Sequence, residues 1–247
     1  MLPTSMLKVV IKRELASYLA TPLAFIFTVI FLVLNGVFTF YMGNFYERGQ
    51  ADLFSFFSFH PWLYLFLVPA LAMRLWSEER KTGTIELIMT LPIPTRDLIL
   101  GKFLASWLFI GVALLLTFPI WITVNYLGAP DNGVILASYL GSWFMAGGFL
   151  AIGCCLSATT NNQVIAFILS VVVCFVFIVS GFPMVLDAFQ GWAPAWLIDA
   201  ISSLSFLTHF NAISRGVLDL RDVLYFALVI SVWLVATAIV IDMKKAE

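Results

Sequence analysis

The stretch VIAFILSVVVCFVFIVSGFPMVL, residues Val164–Leu186, contains no Asp, Glu, Lys or Arg. A helix needs about 20 mostly apolar residues to cross the hydrocarbon layer of a bilayer, so this stretch is long enough to do so. Strands of a membrane β-barrel would instead be segments of about ten residues that alternate in polarity. The unbroken apolar run therefore predicts a transmembrane helix and indicates an all-α integral membrane protein.

The whole chain of 247 residues has the composition of a membrane protein. Hydrophobic residues make up 62% and charged residues 11%, against about 45–50% and about 25% in soluble domains. Too few polar side chains are present to cover a water-soluble globule. This argues against a soluble enzyme, a nucleic-acid-binding protein and a disordered chain.

Five other stretches share the length and the lack of charge. The six apolar stretches are Pro22–Tyr41, Phe59–Met73, Phe103–Val124, Val134–Leu156, Val164–Leu186 and Val223–Ile241. They predict six transmembrane helices over 22–41, 59–76, 103–125, 134–158, 164–186 and 223–241. The second stretch is short and contains Pro61 and Pro69, but neighbouring helices can satisfy the backbone groups that a proline frees.

The basic residues orient the chain, because they remain on the cytoplasmic side of a membrane. With the N-terminus inside, ten basic residues lie in cytoplasmic segments: Lys8, Lys12, Arg13, Arg74, Arg80, Lys81, Arg96, Lys102, Lys244 and Lys245. Only Arg48, Arg215 and Arg221 lie outside, and the acidic residues divide seven and seven. The bias predicts that both termini are cytoplasmic, which agrees with an even number of spans.

Residues 5–20 have the pattern of an amphipathic helix that lies in the cytoplasmic interface. Apolar residues recur there at helical spacing: Leu7, Val10, Ile11, Leu15, Tyr18 and Leu19. Lys8, Lys12 and Arg13 occupy the other face, where they can approach the head groups of anionic membrane lipids. The alternative is an ordinary basic flank that only fixes the topology.

The segment 77–98, between the second and third predicted spans, is the most informative cytoplasmic stretch. Thr84 can cap a short helix whose first turn contains Glu86, a favourable position for an acid. The apolar side of this helix comprises Leu87, Ile88 and Leu91. A short helix with exposed apolar residues can dock another protein; the alternative is a turn packed on its own membrane helices.

The external segment 187–222 is long for a connection without a function. Its apolar residues suggest short helices that dip into the outer interface: Trp192, Trp196, Ile198, Ile201, Leu204, Phe206, Leu207 and Phe210. Asp219 or Asp222 can cap the last span and have only that structural role.

Several kinds of chemistry lack the residues they need. The predicted spans contain no ionisable pair of the sort that ion-driven transporters use, and the three cysteines suit packing. The pair Gly101-Lys102 is followed by Phe103, so it does not form a phosphate-binding loop. No cofactor is expected in this chain, and energy for uphill transport would have to come from a partner.

Two motifs resemble a known family. The sequence EERKTGTIEL (Glu78–Leu87), followed by Leu91-Pro92, resembles the first cytoplasmic loop of type-2 ABC transporter (ABC-2) permeases. The stretches His209–Val217 and Asp219–Phe226 are similar to the subgroup that includes the gliding-motility ABC permease subunit. The resemblance covers nearly the whole chain and implies a bacterial inner-membrane subunit that is not itself an enzyme.

The resemblance also implies partners and roles. The permease would form the pathway as a dimer with a second copy or a paralogue. Two copies of a cytoplasmic ATP-binding subunit would bind ATP and Mg²⁺. The ATPase-coupling residues would be Glu78, Glu79, Gly83, Thr84, Ile85, Glu86, Leu87 and Leu91. Re-entrant external helices would form an outer gate with Trp192, Trp196, His209, Phe210, Gly216, Asp219, Arg221 and Asp222.

Export is the favoured function of such a subunit. The alternative is a membrane scaffold that uses an ABC ATPase to transmit force or a signal without a transported substrate. The sequence does not separate these two functions, because both need the same ATPase and the same coupling loop.

Overall fold

The computed structural model describes residues 4–90, 93–190, 193–217 and 219–244. Within these residues the protein is all-helical, without strands. The α-helices are α1 Thr4–Ala20, α2 Pro22–Val37, α3 Phe54–Ser58, α4 His60–Ala72, α5 Arg74–Lys81, α6 Thr84–Thr90, α7 Thr95–Leu115, α8 Phe118–Leu127, α9 Asn132–Thr159, α10 Gln163–Val179, α11 Pro183–Gln190, α12 Ala195–Ser203, α13 Phe206–Ser214 and α14 Leu220–Met243. A five-residue π-helix, Phe38–Met42, continues α2.

The helix predicted over 5–20 is present as α1, and it packs along α7. Val10 of α1 is buried against Gly101 of α7, at a place where a Cβ would collide with the valine side chain. Thr21 has an extended backbone, and Pro22 then occupies the first turn of α2. This break turns the chain from α1 into the first apolar helix.

The second predicted span, 59–76, is divided. Helix α4 ends at Ala72, and Arg74 begins the polar helix α5. The hydroxyl of Ser157, on α9, accepts hydrogen bonds from the backbone N–H groups of Trp76 and Ser77, both at 3.1 Å. Because the first N–H groups of a helix lack partners within it, Ser157 stabilises the start of α5 from a distant part of the chain.

The third predicted span, 103–125, begins eight residues earlier than expected, at Thr95. Helix α7 therefore includes Lys102, which is buried. The chain continues past a short turn at Leu116–Thr117 into α8, which ends before Gly128.

Helix α9 is the centre of the core. Asp131 caps it by accepting hydrogen bonds from the N–H groups of Gly133 and Val134. The helix packs against α4, α7, α10, α13 and α14, and its middle is almost fully buried. At Gly147 the neighbouring side chains approach closely, because a Cβ there would lie 2.8 Å from Trp107 Nε1 and 2.9 Å from Ile230 Cδ1.

The fifth predicted span, 164–186, is also divided. Helix α10 has 17 residues and ends at Val179, and Pro183 begins α11. A proline disfavours helical geometry in the residue before it, which explains the break over 180–182. Short helices are expected over 187–222 before the last span, which is α14, and α12 and α13 lie there.

Four helices among the described residues are long and apolar enough to cross a membrane: Ala24–Met42, Thr95–Leu127, Asn132–Thr159 and Leu220–Met243. They match the first, third, fourth and sixth predicted spans. The two divided segments do not reach this length, so six spans are not confirmed.

Candidate functional site

The candidate site lies where the predicted coupling segment joins the helical bundle. Helix α5 leads through Thr82 and Gly83 into α6. Gly83 has φ +72°, a left-handed conformation that glycine adopts without a steric penalty, so it permits the sharp turn between the helices. Thr84 is the first residue of α6 rather than its cap, and its hydroxyl donates to the backbone oxygen of Glu79.

Four charged residues meet beside this turn, and we call them the Lys102 cluster: Arg13, Glu14, Glu79 and Lys102. Lys102 Nζ lies 2.7 Å from Glu79 Oε1 and 3.4 Å from Glu14 Oε1. Arg13 Nη2 lies 2.7 Å from Glu14 Oε1 and 3.9 Å from Glu79 Oε1. The Lys102 side chain is only 4% exposed, so the two carboxylates, and not water, are the partners of its ammonium group.

The Lys102 cluster joins three elements that are far apart in the chain. Arg13 and Glu14 come from α1, Glu79 from α5 and Lys102 from α7. The Lys102 ammonium group also lies over the ring of Trp76, 5.4 Å from its centroid. A displacement of α5 must therefore move α1 and α7 with it or separate buried opposite charges.

The two neighbouring glutamates have opposite electrostatic environments. Burial raises the pKa of Glu79, an effect that the Lys102 ammonium group opposes. The bidentate hydrogen bond from Arg74, with both N–O distances at 2.8 Å, lowers the pKa of Glu78, which is more exposed. Glu79 is thus an internal contact of the bundle, whereas Glu78 forms an ion pair along the surface of α5.

The remaining predicted coupling residues differ in their exposure. Gly83, Thr84 and Glu86 are exposed, and Ile85 is half-buried against the core. Leu91 lies outside the described residues, as does the side chain of Leu87. The structure places Glu78 and Glu79 on α5 at the base of the turn, so the described members of the predicted set do not form one surface.

Sequence reasoning missed Glu14 and Lys102. The sequence pattern indicates a topology role for Lys102 and no role for Glu14 within the amphipathic helix. A signal was available, since Glu14 lies four residues from both Val10 and Tyr18 and therefore on their apolar stripe. A charge on the buried face of a helix requires a partner of opposite sign.

A second polar group connects the helices that precede the last span. His209 Nδ1 lies 2.6 Å from Asp222 Oδ1, and both side chains are buried. His209 Nε2 lies 2.9 Å from the backbone oxygen of Ser203. The Tyr225 ring stacks on the imidazole at 3.8 Å, and its hydroxyl donates to the backbone oxygen of Leu204.

The other predicted gate residues are more scattered. Phe210 is buried beside His209, but Trp196 is 70% exposed on α12. Asp219 caps α14 through the Arg221 N–H, so the capping role belongs to Asp219 and not to Asp222. Gly216 has φ +88° and turns the chain between α13 and α14. Trp192 lies outside the described residues.

Comparison with known families decides what kind of protein carries these features. The family described as ABC-2 family transporter protein matches residues 8–241, which is nearly the whole chain. The chain belongs to the ABC-2 transporter family. Comparison with individual curated proteins found no match.

Membership makes this ABC-2 protein a membrane component of a transporter, a class that is generally not the ATPase. The long apolar helices and the family together indicate a multi-pass membrane protein. The match does not resolve the subgroup, so the similarity to gliding-motility permeases stays a prediction. Within the described residues of this ABC-2 chain, no group of three or more His, Cys, Asp or Glu side chains could hold a metal ion.

Proposed function

We propose that this chain is the permease subunit of an ABC exporter, and that it forms the translocation pathway as a dimer with a second copy or a paralogue. The permease would lie in the bacterial inner membrane. Two copies of a separate cytoplasmic ATPase would bind ATP and Mg²⁺ and supply the energy for transport. The family match supports the class of protein. The Lys102 cluster is the observation that supports the coupling mechanism.

The proposed mechanism begins at α6. The ATPase contacts the exposed side of α6, including Glu86, when ATP binding draws the two ATPases together. The Thr84 hydroxyl donates a hydrogen bond to the backbone oxygen of Glu79 on α5. A displacement of α6 is therefore transmitted to Glu79 through this contact and the short turn between the helices. The Lys102 cluster then carries the displacement into α7 and α1, because separating these buried charges is unfavourable.

The external helices α12 and α13 are the proposed outer gate. Helix α13 contacts the bundle through His209 and Phe210, which are buried, and His209 lies against the buried Asp222 of α14. In this mechanism α14 and α9 move relative to α13 when the coupling segment is displaced. The permease breaks no bond itself, and its role is to convert the closure of the ATPases into a rearrangement of helices.

A charge reversal in α6 tests the coupling assignment. We expect Glu86→Arg to weaken stimulation of the co-purified ATPase about tenfold, or about 1.4 kcal/mol, because the exposed carboxylate is replaced by a cation at the docking surface. The measurement is ATP hydrolysis by the complex in lipid nanodiscs, together with the amount of ATPase retained.

Glu47→Arg is the matched control, since Glu47 is also exposed but lies in the connection between α2 and α3. It should leave assembly and stimulation unchanged. Wild-type stimulation in Glu86→Arg would show that α6 does not couple. A complex that hydrolyses ATP but moves no lipid, drug or glycan would favour the scaffold function over export.

A further inference from the structure

His209 is bonded through both ring nitrogens, and the chemistry of its partners fixes where the protons must be. A backbone carbonyl only accepts hydrogen bonds, so Nε2 must donate its hydrogen to the Ser203 oxygen. When Asp222 is ionised, its carboxylate also only accepts, so Nδ1 then carries a second hydrogen toward Asp222 Oδ1. A neutral imidazole has one ring hydrogen and cannot donate at both positions.

We propose that His209 and Asp222 form a proton-binding site that holds α13 and the turn before it onto α14. The site contains one proton more than a neutral imidazole and a carboxylate together, held as an imidazolium–carboxylate pair. Asp222 lies in the first turn of α14, where the helix dipole favours a negative charge.

Few other charges face this site. Helices α9 and α10 pack against α13 and contain no Asp, Glu, Lys, Arg or His. On α14 the titratable group in contact is Tyr225, and the charged Asp219 and Arg221 are exposed. On the other packed elements the charges are Asp199 of α12 and Arg215 after α13, both exposed.

Loss of the proton breaks the connection. At acidic pH both hydrogen bonds are made. At alkaline pH a single ring hydrogen remains, so a nitrogen lone pair must face either the Ser203 carbonyl or the Asp222 carboxylate without a hydrogen between them. One of the two contacts is then lost, and the turn at 203–205 is held to α14 more weakly, with the Tyr225–Leu204 hydrogen bond remaining. If this proton controls the outer gate, that role rests on the proposed function.

Nitrogen NMR tests the proton count directly. The chain has two histidines, so ¹⁵N-histidine labelling of the permease in nanodiscs gives two sets of ring signals, and His60→Gln assigns them. At about pH 5 both ring nitrogens of His209 should give the signals of protonated nitrogen, with one proton lost on raising the pH to about 9. A neutral His209 at every pH would overturn the proposal.

A distance measurement tests the release. Spin labels at Ala200→Cys and Leu220→Cys, both exposed positions, report the separation of α12 from α14; the native cysteines are buried. We expect a shift to longer and broader distances at alkaline pH. In Asp222→Asn the amide can donate to a neutral Nδ1, so short distances should persist at both pH values.

His209→Phe keeps the ring that stacks on Tyr225 but makes neither hydrogen bond, and its distances should not depend on pH. A pH response in Asp222→Asn or His209→Phe equal to that of the wild type would overturn the proposal, because another group would then be responsible. All measurements use the permease without an ATPase. Failure of the ABC coupling assignment would therefore leave these results unaffected, and the reverse also holds.

Discussion

Lys102 is the residue whose removal should cost the most at the candidate site. In Lys102→Met the side chain keeps its length, but Glu79 and Glu14 lose the ammonium group that compensates their partly buried charges. Breaking a buried ion pair by removing one partner costs about 3–5 kcal/mol. We expect a loss near the lower figure, about 3 kcal/mol, because Arg13 still approaches both carboxylates. Chemical unfolding in detergent measures it.

Two further variants separate charge from packing at this position. The double variant Lys102→Met, Glu79→Gln should recover part of the loss, because the uncompensated carboxylate is also removed. Lys81→Met removes an exposed ammonium group from the end of α5 and should change stability by less than about 0.5 kcal/mol. Equal losses for Lys102→Met and Lys81→Met would show that the cluster contributes nothing specific.

At the scale of whole elements, apolar runs predicted most of the architecture, because a membrane helix must be both long and charge-free. The helix bounds differ from the predicted ones where contacts with residues distant in the sequence determine them. Ser157 stabilises the start of α5, and Glu79 with Glu14 allows Lys102 to lie within α7. The Trp76–Ser157 and Glu14–Lys102 contacts join residues 81 and 88 positions apart, and Glu79 and Lys102 lie on different helices, so no local pattern reveals them. The short helix α6 could be predicted because Thr84 and Glu86, which indicate its start, are neighbours in the sequence.

The packing of α9 on α4 depends on two small residues, Gly153 and Ala72. A Cβ on Gly153 would lie 2.5 Å from the Ala72 Cβ, and neither methyl group can rotate away. Gly153→Ala should therefore separate the helices and cost about 1–3 kcal/mol in detergent unfolding. Adding Ala72→Gly to Gly153→Ala should restore part of the lost free energy of unfolding. Gly36→Ala in α2 has open space around it and should be neutral or stabilising, so destabilisation by both single variants would contradict the packing argument.

For the whole molecule, the near-zero net charge hides an asymmetry of position. With the N-terminus inside, the cytoplasmic segments carry ten basic and seven acidic residues, and the outer segments carry three and seven. Many of the apolar side chains that remain exposed lie along α2, α7, α8, α10 and α14. In a membrane these faces contact lipid or, in the proposed dimer, the second permease, and the charged segments at their ends fix the depth and the direction of insertion.

The charge asymmetry makes a prediction about labelling in intact cells. Cysteines at two exposed positions, Ala200→Cys on α12 and Lys81→Cys at the coupling turn, should lie on opposite sides of the membrane. A membrane-impermeant maleimide should label Ala200→Cys in intact cells and Lys81→Cys only after permeabilisation. The parent chain is the control, since its cysteines at 154, 155 and 174 are buried. The reverse labelling pattern would place α6 outside the cell, where no ATP-binding subunit could reach it, and would overturn both the orientation and the coupling mechanism.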